Sequence, residues 1–398
     1  MGFPRRGVAA ICAVFVLAGC GDASSASMPD EASPVTQVLP QVKLPMPGDV
    51  VKVENWASSS TAISGSKILY RTTDVEDEPL IVSGTVFKPE GIAPAGGWPV
   101  LAIGHGSTGI NANCAPSLTG NLYGLSPLVK RYVDAGFAVT FPDFSGLGTN
   151  SGPHPYLDSY AAARTMIDSV RAIRKVYPDI SETWVSYGIS QGGGTTWAAD
   201  EIAGQYAPEL HLAGAVAQVP TTTKVPMVGL AGAGALTPEQ QGVLQWLEES
   251  LARRNPDLDL NQLRSPALAA QWDALSGCGL SAGRDAALRK VSAQDFRPAT
   301  ASATEKLKSL LQQMALPKAG LSAPLYVIYG GNDRFNDPRW TAGAIDRACH
   351  LGGPITVNFQ PAAGHGDVST GDVEQYLNNR IAGLPVRDDC HQVIGSTT

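Results

Sequence analysis

Three residues far apart in the chain are of the types that together pass a proton to and from an oxygen nucleophile: Ser190, Asp333 and His365. Ser190 lies in the run Trp184-Val185-Ser186-Tyr187-Gly188-Ile189-Ser190-Gln191-Gly192-Gly193-Gly194, where a β-favouring stretch breaks at a serine and a helix-favouring stretch, 195–204, follows. That is the strand–turn–helix setting in which a sharp turn exposes a serine oxygen above a sheet edge. Glycine stands two positions away on each side because such a turn brings backbone into the space a β-carbon would fill. The hydroxyl is a poor nucleophile until a base takes its proton, and the base needs an acid to hold its tautomer.

The candidates for those partners follow later strands. Asp333 closes Tyr329-Gly330-Gly331-Asn332-Asp333, just past an apolar strand, and His365 sits in Ala363-Gly364-His365-Gly366-Asp367, just past the next strand-like run. Among the competitors, Asp337 precedes a proline and reads as a helix N-cap, Asp367 lies two residues beyond the histidine, and Asp346 falls inside a helix. His211, His350 and His391 have no glycine-flanked loop and read as surface or packing residues. A second Gly-x-Ser-x-Gly, Gly279-Leu280-Ser281-Ala282-Gly283, has no strand before it, so Ser281 is expected in a loop without chemistry.

Acyl transfer through Ser190 would also need backbone N–H groups aimed at the developing oxyanion. The residue after the nucleophile, Gln191, is expected to supply one. The loop Gly104-His105-Gly106-Ser107-Thr108-Gly109 is expected to supply the other, from Ser107 with Thr108 and Gly109 as rivals. His105 reads as a loop brace, Asp143 as a turn aspartate that could brace the site, and His154-Pro155-Tyr156 as a stretch that could line the pocket.

These side chains must be carried by alternating elements. Strands are predicted at 67–72 and 80–87 (a pair), 98–103, 138–142, 184–189, 212–219, 325–329 and 355–359. Helices are predicted at 125–135, 156–176, 195–204, 340–349 and 372–381. Between 220 and 321 the alternation lapses into helices at 238–254, 266–275 and 304–314 with Gly/Pro/Asp-rich loops. The pattern gives an α/β fold: a mostly parallel sheet with helices on both faces and a helical insertion. The domains are then a core of 49–219 and 322–398 and a helical cap insertion of 220–321.

The N-terminus reads as an export signal over 1–19, with Arg5 and Arg6 before an apolar run, 7–19, too short to span a bilayer. It ends Leu17-Ala18-Gly19-Cys20, which resembles the lipobox of bacterial lipoproteins. That resemblance implies lipidation of Cys20 and membrane anchoring, the alternative being an ordinary cleaved secretory signal. Residues 20–48, rich in Ser, Ala and Pro, cannot bury enough surface to fold and read as a flexible tether. The net charge of −7, with no basic cluster, argues against a nucleic-acid partner. Of the six cysteines, Cys114, Cys278, Cys349 and Cys390 remain beyond the signal, an even number that suggests two disulfides in an oxidising compartment. Three connectivities are possible. Zinc is a poor alternative, since no two of these cysteines are close in sequence, and nothing points to a metal or an organic cofactor.

With these residues in hand the chain resembles the secretory lipase family, the α/β-hydrolases typified by fungal lipase A and its bacterial relatives. The resemblance runs from Tyr70-Arg71-Thr72-Thr73 onward and rests on Asn113-Cys114-Ala115-Pro116-Ser117, the Ser190 turn, the helical insertion, and the Asp333 and His365 loops. The cysteine spacing is similar to that family's two disulfides and implies the pairs Cys114–Cys278 and Cys349–Cys390. Closing the second, shorter loop would stabilise the fold by about 3–5 kcal/mol. The resemblance further implies a carboxylic ester hydrolase, lipase or esterase, acting on small-molecule or lipid esters, with the insertion as a cap over the acyl pocket. Only eight residues follow Cys390, so the fungal type's C-terminal flap, and its handling of long-chain triglycerides, does not carry over. The rival readings are a tannase- or feruloyl-type esterase or a peptidase on the same scaffold, and an exported lipoprotein that binds ligands without turnover.

Overall fold

The structure, a computed structural model, describes residues 45–279 and 281–391. The export signal, Cys20 and all but the last few residues of the expected tether lie outside the described residues.

The frame is one nine-stranded sheet in the order β1-β2-β3-β5-β4-β6-β7-β8-β9. β1 (Val50–Ala57), β2 (Ser64–Thr73) and β3 (Pro79–Phe87) form an antiparallel end. β4 (Trp98–Gly104), β5 (Ala138–Pro142), β6 (Ile180–Ile189), β7 (His211–Gln218), β8 (Leu325–Gly330) and β9 (Ile355–Gln360) run parallel. β5 joins the antiparallel end through β3. The parallel strands are near-continuous apolar runs because helices cover both faces.

Period-two alternation decides which residue meets which layer. Val100 and Ala102 of β4 point to one core, and Leu101 and Ile103 to the other. The first core takes α2 (Ser159–Val176), α3 (Gln191–Tyr206) and α10 (Pro338–Leu351) through residues such as Met166, Trp197 and Ala344. The second takes α1 (Ser126–Asp134) and α11 (Val373–Ile381) through Val129, Tyr132 and Leu377. Because β4 has β5 on one side and β6 on the other, the strand order reverses between β4 and β6. A crevice at the carboxyl ends of the strands opens at such a reversal.

Between β7 and β8 the chain leaves the sheet for six helices: α4 (Val225–Ala233), α5 (Pro238–Arg254), α6 (Pro266–Ala269), α7 (Trp272–Leu275), α8 (Ala282–Leu288) and α9 (Ala301–Gln313). They share an apolar core that includes Leu244, Leu247, Leu251, Phe296 and Leu307 and takes in Ile110, Tyr156 and Leu157 from outside the insertion. α5 starts on a capping box: Thr237 and Gln240 each bond the other's backbone N–H at 3.1 Å. The Thr237 hydroxyl also donates to the Arg334 carbonyl at 2.8 Å, which ties the insertion to the loop after β8. The chain re-enters the sheet over α3, where buried Asp200 accepts from the amides of Ser322 and Ala323 at 2.9 and 2.8 Å.

Disulfides join Cys114 to Cys278 and Cys349 to Cys390. The first ties the loop after β4 to the insertion. The second holds the segment that blunts the edge strand β9, where Asp389 N donates to Ile355 O at 2.8 Å and Thr356 Oγ1 to Arg387 O at 2.6 Å.

The structure differs from the expected elements in four places. β1 is a strand that composition did not signal, since of its side chains only Trp56 is buried. The expected 266–275 helix is two short helices, α6 and α7. α4 and α8 form where loops were expected, and Ser281 is the N-cap of α8, accepting from Arg284 N at 3.3 Å. α3 begins at Gln191, four residues earlier than its sequence suggests, because the glycines that weaken helix propensity are needed for packing.

Candidate active site

Ser190 sits between β6 and α3 with φ 58° and ψ −110°, a strained conformation for a residue with a β-carbon. The turn is pinned from β7: Ser190 N donates to Gln218 O at 2.9 Å, and Ser190 O accepts from Gly194 N and Thr221 N at 3.1 Å. The flanking glycines are sterically required. A β-carbon on Gly188 would lie 1.9 Å from the Gly192 carbonyl oxygen, and one on Gly192 would lie 2.0 Å from the Gly104 carbonyl oxygen.

From this turn a hydrogen-bonded chain runs outward. The Ser190 hydroxyl meets His365 Nε2 at 2.9 Å, and His365 Nδ1 meets Asp333 Oδ2 at 2.7 Å. A carboxylate can only accept, so the proton on that imidazole sits on Nδ1, leaving Nε2 to accept from the serine. Asp333 is itself held: its Oδ1 accepts from Phe335 N at 2.8 Å and Asn336 N at 2.9 Å, and Asn336 donates to Val219 O at 2.9 Å. The Phe335 ring packs 4.7 Å from the imidazole. The Asp333 side chain is nearly sealed from solvent while His365 keeps a partly open face.

The competing groups lie elsewhere. Asp337 caps α10 through Arg339 N at 2.9 Å. Asp367 turns back on its own loop to accept from Gly364 N at 2.5 Å. Asp346 lies inside α10, and His211, His350 and His391 are exposed.

Gln191 opens α3, so its N–H is one of the first-turn amides that a helix cannot bond internally. Gly106 approaches Ser190 from the other side: a β-carbon on it would lie 3.8 Å from Ser190 Cβ. Ser107 lines the same cavity, and its hydroxyl shares a 2.7 Å hydrogen bond with Tyr156.

Buried histidines brace this loop. His105 stacks 4.3 Å from Phe144, and its Nδ1 bonds Gly106 O at 2.6 Å. His154 Nδ1 donates to Ser145 O at 2.7 Å, and its Nε2 accepts from the Gln191 side chain at 3.1 Å. Burial pushes the His154 imidazole down to about 3 and lowers that of His105, so both stay neutral near pH 7. Tyr156 and Leu157 reach the cavity, whereas His154 stands behind it. Asp143 is fully buried, accepts from Ser83 Oγ at 2.5 Å and Ser117 N at 2.8 Å, and is raised by burial.

Ser190 and His365 open onto a cavity of about 750 Å³. The insertion contributes much of its wall, including Val243 and Trp246 of α5 and Arg284 and Leu288 of α8. Val243 belongs to the apolar face of α5 but looks into this space. Lys224 and Arg284 are cavity residues that sequence reasoning missed. A lysine before a Val-Pro dipeptide and an arginine in a short helix carry no local signature of burial. Among the described residues no group of three His, Cys, Asp or Glu side chains could hold a metal ion, and no helix is long and apolar enough to cross a membrane.

Comparison with known proteins gives the same architecture and a family match over part of the chain. The family model described as secretory lipase matches residues 123–318, which hold the Ser190 turn and the insertion and stop before Asp333. A probable trichothecene esterase of Stachybotrys chartarum is 28% identical over 210 residues, covering 48% of this chain and 42% of that protein. The chain thus spans less than half the length of that curated relative. Candida antarctica lipase A in its closed state superposes with a TM-score of 0.67 at 16% identity, over 89% of this chain and 90% of that one. A rice cell wall degrading esterase, LipA, from Xanthomonas oryzae superposes with a TM-score of 0.64 at 19% identity, over 88% and 97%. The sheet with its interrupting helices is therefore an α/β-hydrolase fold, and over residues 123–318 the chain is similar to the secretory lipase family.

Proposed function

We propose that this protein is an exported serine hydrolase of carboxylic esters. The observation that carries the reading is the unbroken Ser190–His365–Asp333 hydrogen-bond chain at the wall of a 750 Å³ cavity. Ser190 Oγ attacks the ester carbonyl while His365 Nε2 takes its proton. Asp333 holds the Nδ1–H tautomer and stabilises the imidazolium that forms. The oxyanion is received by the backbone N–H of Gln191, at the positive end of α3, and by that of Ser107. Support for Ser107 comes from His105, which holds the Gly106 carbonyl at 2.6 Å. In a trans peptide the next N–H points the opposite way, away from that buried ring. Collapse of the tetrahedral intermediate expels the alcohol with the proton from His365, and water cleaves the acyl-enzyme by the same route.

The insertion acts as a cap over the acyl pocket, and the cavity volume suits a small or medium acyl ester. The secretory lipase match over residues 123–318 and two disulfides support export, and lipidation at Cys20 would tether the enzyme to the cell envelope. Hydrolysis of 4-nitrophenyl acyl esters by mature protein, assayed beside peptide substrates, tests the reading. Ester cleavage that is absent in Ser190→Ala supports it. Peptide cleavage alone, or no turnover by folded protein, contradicts it.

A further inference from the structure

Two cations are buried in the wall of the cavity that contains Ser190. Arg284 is only 6% exposed. Its Nη1 donates to Leu275 O at 2.8 Å, its Nη2 to Gly242 O at 2.7 Å, and its guanidinium lies 3.8 Å over the Trp246 ring. Lys224 is 5% exposed and donates to Phe335 O at 3.1 Å and to Asn336 Oδ1. Neither cation makes a direct ion pair among the described residues; Asp333, already held by His365 and two amides, and solvent-exposed Asp285 act on Lys224 and Arg284 only at longer range. A guanidinium carries five N–H donors and an ammonium three, so each keeps donors that the protein does not use. Burial lowers Arg284 to about 10, which leaves it charged at neutral pH, and Lys224 to about 7.

A buried charge with no directly paired counter-ion is costly, and an entering anion offsets that cost through charge-assisted hydrogen bonds. The acidic side chains of the same wall do not compete. Glu239 is engaged by Arg334 through both oxygens at 3.1 Å, and Asp285 is exposed to solvent. Trp246 gives the guanidinium a flat backing that fixes its plane.

We infer that the cavity selects esters whose acyl part carries a carboxylate, bound by Arg284 of the insertion, with the Lys224 amine as a further hydrogen-bond donor. This rests on the hydrolase reading of Ser190 and on the insertion covering the acyl side.

The test compares 4-nitrophenyl hydrogen dicarboxylates, from glutarate to suberate, with neutral 4-nitrophenyl esters of equal acyl length. For at least one matched pair, wild-type kcat/KM is expected to favour the acidic ester by about tenfold or more. In Arg284→Gln that ratio falls to about one or below, and Arg284→Lys retains part of it. A merely structural arginine would move both esters together and leave the ratio unchanged. Should Arg284→Gln not fold, Arg284→Lys and Lys224→Met must each lower the ratio. The inference is overturned if no acidic ester is favoured, or if the ratio survives in the variants. Cleavage of neutral esters without acidic preference removes this inference alone, whereas cleavage of neither removes the hydrolase reading with it.

Discussion

Gly192, in the first turn of α3, packs backbone to backbone on Gly104 at the end of β4, leaving no room for a side chain between them. The space a β-carbon on Gly192 would need lies 2.0 Å from the Gly104 carbonyl oxygen. This contact fixes the distance between the Ser190 turn and the 104–109 loop, the two segments proposed to receive the oxyanion. Gly192→Ala should therefore cost about 3 kcal/mol or more, because the clash is with backbone on both sides. Gly232→Ala in α4, where a β-carbon meets nothing within 4 Å, should stabilise by up to about 1 kcal/mol. Denaturant unfolding of the two variants beside the wild type reads both signs; equal effects would mean the close approach is not rigid.

Asp333→Asn should keep the fold and lose turnover. The Asn Oδ1 can still accept from the amides of Phe335 and Asn336, but its NH₂ now faces His365 Nδ1. The imidazole must then carry its proton on Nε2, where it can no longer accept from Ser190. A fall in kcat on the order of 10⁴ is expected with an unchanged circular dichroism spectrum. Activity within tenfold of wild type would remove Asp333 from the proposed mechanism.

The buried Asp200 makes stability depend on pH. Burial raises its carboxyl to about 8, while in the unfolded chain it ionises near an ordinary aspartate value of about 3.9. Between those values the unfolded state gives up a proton that the folded state keeps, so the contribution of this group is fully present below the unfolded value and is lost as pH rises toward 8. Glu201, also raised by burial, acts in the same direction. Asp200→Asn cannot ionise and should flatten the decline of Tm between pH 4 and 8 without abolishing it. A variant whose Tm falls as steeply as wild type would show that Asp200 is charged in the folded protein.

Much of this arrangement was legible because buried parallel strands betray themselves. The apolar runs before Ser190 and Asp333 mark β6 and β8, the alternating run before His365 marks the edge strand β9, and each candidate follows the carboxyl end of its strand. β1 left no such trace, since Val-Lys-Val-Glu-Asn-Trp lies at the sheet edge with one buried side chain. The Ser281 pattern matches that of Ser190 residue for residue at the glycines, yet it caps a helix, because no strand delivers it to the sheet edge. Lys224 and Arg284 were hidden for a different reason. Their burial is decided by partners 111 and 42 residues away, Phe335 and Gly242, and no local spacing encodes it.

The most direct test of the central claim is covalent labelling of the mature protein with a fluorophosphonate probe, read by intact mass and peptide mapping. One adduct is expected on Ser190, absent in Ser190→Ala and in His365→Ala, and retained in Ser281→Ala. Turnover in Ser190→Ala should fall by about six orders of magnitude. Folded wild-type protein that takes no label, or that takes it on a serine other than Ser190, would contradict the account.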